Sequence, residues 1–65
     1  QDLTPNEIRV ADMIRAGDST KEIATFLNLS ERTVEYYRNN IRRKLGLKGK
    51  KANLSSYLAS LSADT

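Results

Sequence analysis

"STKEIATFLNLSERTVEYYRNNIRRKLGLK", residues 19–48, holds two helical patterns with almost no chain between them. Ser19 with Glu22 three residues later is a capping-box pattern, so a helix opens there. Ile23, Ala24, Phe26 and Leu27 give it apolar weight over about two turns. Asn28 follows, a residue that tolerates the left-handed backbone a sharp turn often needs. Leu29 is placed to plug the angle together with Val34, and Ser30 to cap the next helix. That helix is predicted over about 31–45, with Gly46 as its stop. Its apolar positions Val34, Tyr37, Ile41 and Leu45 are spaced by 3, 4 and 4 and form one face.

Outward from this centre, "LTPNEI" at residues 3–8 announces an earlier helix. Thr4 caps it, Pro5 suits its first position, and Glu7 completes another capping box. Leu3 and Ile8 are spaced as a hydrophobic staple. Val10, Ala11, Met13 and Ile14 form the apolar stripe, and Gly17 is placed to end the helix. After the loop "GLKGKK", Leu54, Tyr57, Leu58 and Leu61 recur at i, i+3, i+4 and i+7 and mark a fourth helix. No strand pattern or repeat interrupts the series. The expected fold is all-α, one four-helix domain over residues 1–65.

Composition narrows the function. A 65-residue chain buries only about 60% of the surface its unfolded form exposes, which leaves little room for a catalytic cleft. With no Cys and no His, disulfides and thiolate sites are excluded, and the commonest base and metal ligand are missing. Catalytic residues, metal ligands and cofactors are therefore not expected. The longest apolar run is Tyr57 to Ala59, too short to cross a bilayer, so no membrane association is expected. The lack of Cys fits a cytoplasmic location.

Net charge is +3, but seven of the eleven basic residues fall between Tyr36 and Lys51, where no acidic residue occurs. A basic block in an otherwise acidic chain suits a polyanionic partner. The alternative is a solvated helix face. The geometry of the third helix separates the two. At about 100° per residue, Arg32, Tyr36, Asn39 and Arg43 form a stripe opposite Val34, Tyr37 and Ile41, flanked by Glu35. An outward row of Arg, Tyr and Asn is suited to base edges and phosphates in a DNA major groove, which admits one α-helix. Two short-jointed helices, the second bearing that row, make a helix-turn-helix. Ala24 is small where the two helices would cross.

From "LTPNE" through "GDSTKEIATFLNLSERTVEYYRNNIRRKLGL" the chain resembles the LuxR/FixJ/NarL-type DNA-binding domain, over about Leu3 to Leu61. The ordered set is "LTPxE", a Gly, "KEIA" and "SxRTVxxYxxNIxxKLG". The resemblance implies a four-helix effector domain of a bacterial transcriptional regulator, such as a response regulator or quorum sensor. It also implies DNA binding as a homodimer joined through the fourth helix. The chain begins at Gln1 and is expected to be the C-terminal fragment of a longer regulator with an N-terminal sensor or receiver region.

Position by position, the resemblance implies base contacts by Glu35, Tyr36 and Asn39, and phosphate contacts by Thr20, Lys21 and Thr33. The helix starts at Lys21 and Thr33 also suit phosphate contact on physical grounds. Arg32 and Arg43 join the phosphate set from the stripe geometry, and Lys50 from the basic loop. Family members often carry Lys in place of Glu35 and His in place of Tyr37. A carboxylate repels phosphate but accepts from cytosine N4, so Glu35 is either a specificity element, the preferred reading, or a retracted bystander. Tyr37 lies on the inner face and is expected to be a core aromatic with a local hydroxyl partner. Arg38 is expected to lay its stem along the core rather than touch DNA.

A second face of the fourth helix is small: Ala52, Ser55, Ser56, Ala59 and Ser62. Ser55, Ser56, Ala59 and Ser62 are the expected dimer contacts. Two rival readings are a sigma-factor promoter-reading domain, which the fourth helix argues against, and a helical bundle that docks an acidic protein.

Overall fold

The computed structural model describes residues 2–47 and 53–63. Four helices follow in order: α1 (Pro5–Arg15), α2 (Thr20–Leu27), α3 (Glu31–Lys44) and α4 (Leu54–Ala63). No strand occurs among the described residues. α3 packs on both α1 and α2, and α4 packs on α1.

Each start has the chemistry its sequence suggested. At α1, the Glu7 N–H donates to Thr4 Oγ1 at 3.2 Å and the Thr4 N–H to Glu7 Oε1 at 2.8 Å. At α2, the Glu22 N–H donates to Ser19 Oγ at 3.1 Å and the Ser19 N–H to Glu22 Oε1 at 2.8 Å. These reciprocal pairs satisfy donors that the helix itself leaves without acceptors. At α3, Ser30 Oγ accepts from the Thr33 N–H at 3.1 Å. Asn53 does the same for α4, its Oδ1 accepting from the Ser56 N–H at 3.1 Å.

The ends are as definite. Gly17 has φ +97°, the Asp18 N–H reaches the Met13 carbonyl at 3.0 Å, and the Gly17 N–H reaches that of Ile14 at 2.9 Å. Gly46, at φ +76°, closes α3 with the same pair of bonds. Asn28 is left-handed at φ 58° and ψ 46°. The turn is tied down by the Leu29 N–H donating to the Ala24 carbonyl at 2.8 Å.

The core holds Val10, Ala11 and Ile14 from α1, Ile23 and Ala24 from α2, Val34 and Ile41 from α3, Leu54 and Leu58 from α4, and Leu47. Phe26 is 74% exposed, because it lies about 60° beyond Ile23 on an eight-residue helix that turns Ile23 and Ala24 inward. Of the two residues placed to fill the angle between α2 and α3, Val34 is fully buried and Leu29 is 37% exposed. Ile8 and Leu61 are also half-exposed. With Leu3, Ala11 and Leu58 they line a shallow groove between α1 and α4.

Candidate nucleic-acid interface

The side that α3 presents outward is fixed by what holds its other faces. Val34 and Ile41 are fully buried, which sets the rotation of α3. The opposite stripe then emerges: Arg32, Tyr36, Asn39 and Arg43 are all exposed, and so is Glu35. Tyr36 stands 63% exposed, its ring edge-on to Tyr37 at 5.9 Å between centroids. The Tyr37 hydroxyl accepts from Asn6 Nδ2 at 3.3 Å, so Tyr37 is a half-buried aromatic with a local partner. Arg38 is half-buried beside it.

A third row on α3 escaped the sequence reading. Thr33, Tyr37, Asn40 and Lys44 follow at spacings of 4, 3 and 4, and this flank carries the polar contacts with α1. Lys44 Nζ lies 2.7 Å from Glu7 Oε1, both side chains well covered. The Lys44 hydrogen bond, seconded by the Thr4 N–H, holds the Glu7 carboxyl below its ordinary value. Asn40, between Tyr37 and Lys44, is buried as well. Lys44 therefore belongs to the fold, although the sequence counted it within the basic block. Spacing alone does not single out this row, because every face of a helix repeats at 3 and 4 residues; the Glu7 partner on α1 does.

The first turn of α2 completes the surface. Lys21 is exposed and Thr20 half-buried. Thr20 Oγ1 donates to Glu35 Oε2 at 2.7 Å, so two predicted site residues from different helices meet directly. The Thr33 and Ser30 hydroxyls share a hydrogen bond of 2.9 Å. Elsewhere, Ser56 and Ala59 are exposed and Ser55 is half-buried on α4. Lys50 lies outside the described residues, as does the side chain of Ser62. Among the described residues no cluster of acidic side chains could hold a metal ion, and no helix is long and apolar enough to cross a membrane.

Two helices joined through a left-handed Asn28, the second held by its buried face with a polar stripe outward, define a helix-turn-helix module. The chain belongs to the family described as bacterial regulatory proteins, luxR family, which it matches over residues 1–56. It is 48% identical over 46 residues to the transcriptional regulatory protein TdiR of Thauera aromatica, covering 71% of this chain and 20% of that protein. Against the response regulatory protein YgeK of Escherichia coli the identity is 49% over 43 residues, 66% of this chain and 29% of that protein. Against the spore germination protein GerE of Bacillus subtilis it is 42% over 48 residues, 74% of this chain and 65% of that protein. The chain thus spans less than two thirds of each of these relatives. No solved structure gives a significant match. Sequence-specific DNA binding in transcription regulation is the function of this domain.

Proposed function

We propose that α3 enters the major groove with Glu35, Tyr36 and Asn39 on base edges, while α2 crosses the backbone above it. Arg32 and Arg43 flank the reading residues and meet phosphates, joined by Lys21, Thr33 and Lys50. Thr20 contributes its backbone N–H, which in the first turn of a helix has no intrahelical acceptor. The observation that carries this reading is the rotation of α3: one face is fully buried at Val34 and Ile41, and the opposite face is exposed along its length.

Two copies bind a two-fold site, meeting through Ser55, Ser56, Ala59 and Ser62. The domain serves as the cytoplasmic effector part of a longer regulator, with a receiver or sensor region before it. The short span of the chain relative to TdiR and YgeK, and the description of YgeK as a response regulatory protein, support this part.

Asn39→Ala set against Lys21→Ala tests the division of labour. The Asn39 amide can pair bidentately with adenine N6 and N7. Its loss should cost about 1–3 kcal/mol on the preferred site and relax one base pair. Lys21→Ala should weaken preferred and random duplexes alike and flatten the salt dependence by about one unit of slope. Titrations of both variants on both duplexes, at several salt concentrations, give the answer. Equal loss on both duplexes for Asn39→Ala would show that this face does not read bases.

A further inference from the structure

We infer that Thr20 is a positioning residue for sequence reading, its hydroxyl aiming the Glu35 carboxylate at a cytosine in the groove. The inference rests on the base-contact role proposed above for Glu35. Glu35 stands exposed on the flank of α3, on a side chain with several rotatable bonds. Left alone, such a side chain samples many rotamers and must be ordered on each binding event. The 2.7 Å bond from Thr20 Oγ1 to Glu35 Oε2 fixes it in advance, from a different helix.

Proton counting makes the assignment exclusive. A threonine hydroxyl has one proton to donate. A phosphate oxygen and a carboxylate oxygen are both acceptors, so the Thr20 hydroxyl donates to one or the other. In the structure it donates to the carboxylate. The bond also brings the carboxylate to the first residue of α2, where the helix dipole favours negative charge. Oε1 is left to accept from a base, and the cytosine N4 amino group is the major-groove donor a carboxylate suits.

The test uses the 65-residue chain, a duplex that it selects from a random-sequence library, and the single-base-pair variants of that duplex. Glu35→Ala should relax preference at one position that holds cytosine. Thr20→Val, which removes the hydroxyl and keeps the shape, should lower preference for cytosine at that same position about tenfold, or about 1.4 kcal/mol. In the Glu35→Ala background Thr20→Val should change that preference no further, and Thr20→Ser should restore it in the native background. Circular dichroism shows whether each variant is folded, and Thr20→Ala stands in if Val disturbs the first turn of α2. Equal weakening of selected and random duplexes by Thr20→Val would return the hydroxyl to phosphate contact and overturn the inference. So would additive effects of the two substitutions. If Glu35→Ala relaxes a base pair and Thr20→Val does not, positioning fails while base contact by Glu35 stands. If Glu35→Ala relaxes none, the base contact itself is wrong and the inference falls with it.

Discussion

Ile41→Ala is the sharpest probe of what aims the outward stripe of α3, because Ile41 is fully buried where α3 meets the rest of the core. The substitution deletes three carbons. At about 0.8 kcal/mol per buried methylene the transfer loss is about 2.4 kcal/mol. The cavity left behind adds to this, and Ile→Ala changes in cores cost about 2–5 kcal/mol. A chain of 65 residues has about 3–10 kcal/mol of stability at the usual per-residue value. The variant should therefore lose a large part of its margin. At about 4–8 °C per kcal/mol for a domain of this size, the smaller estimate already lowers Tm by about 10–20 °C. Thermal unfolding followed by circular dichroism measures it. The control is Phe26→Ala, which removes a larger apolar side chain from a position 74% exposed and should change stability by no more than about 0.5 kcal/mol. A Tm for Ile41→Ala within a few degrees of wild type would mean that α3 is rotated away from the core, and the outward stripe with it. A larger loss for Phe26→Ala than for Ile41→Ala would refute the same geometry from the other side.

The remaining expectations concern the joints of the domain. Glu7 is held below its ordinary value of 4.5, first by Lys44 and then by the Thr4 N–H. A depressed folded-state pKa contributes stability that is present above the unfolded value and lost as pH falls towards the folded one. Melts from pH 7 to pH 3 should thus show Tm falling below about pH 4.5, and Glu7→Gln should lower Tm at pH 7 and flatten that acid limb. Glu22, also lowered by its Ser19 hydrogen bonds, keeps part of the limb; identical acid slopes in wild type and Glu7→Gln would exclude the account. At Asn28, φ 58° makes Asn28→Gly nearly neutral, while Asn28→Val should cost about 1–2 kcal/mol; equal urea midpoints for the two would show that the turn does not need that conformation. Ala59→Glu should leave the fold intact and weaken paired occupancy of half-sites about 10 base pairs apart, and footprints with both halves still filled at wild-type concentrations would remove α4 from the dimer contact.

Local signals in the chain made most of the architecture legible. Thr4 and Ser19 cap their helices because a hydroxyl and a Glu three residues on can reach the same few backbone groups. Gly17, Asn28 and Gly46 mark ends because a positive φ is cheapest for Gly and Asn. The inward row of α3 and the stripe opposite it follow from a period of about 3.6 residues. These are properties of short windows, so the sequence by itself determined the helices, their joints and which side of α3 faces out.

The tertiary structure decided whatever depends on one helix meeting another. Phe26 and Ile23 have similar apolar character, and only the direction in which α2 lies against α3 buries one and exposes the other. Lys44 looks like any cation in the basic block until α1 brings Glu7 to 2.7 Å from it, 37 residues away in sequence. Glu35 and Thr20 are 15 residues apart and meet because the Asn28 turn folds α2 back across α3. Capping, turns and periodicity are written within a few neighbouring residues, whereas these pairings arise from the angles and distances at which finished helices pack, which no short window of sequence contains.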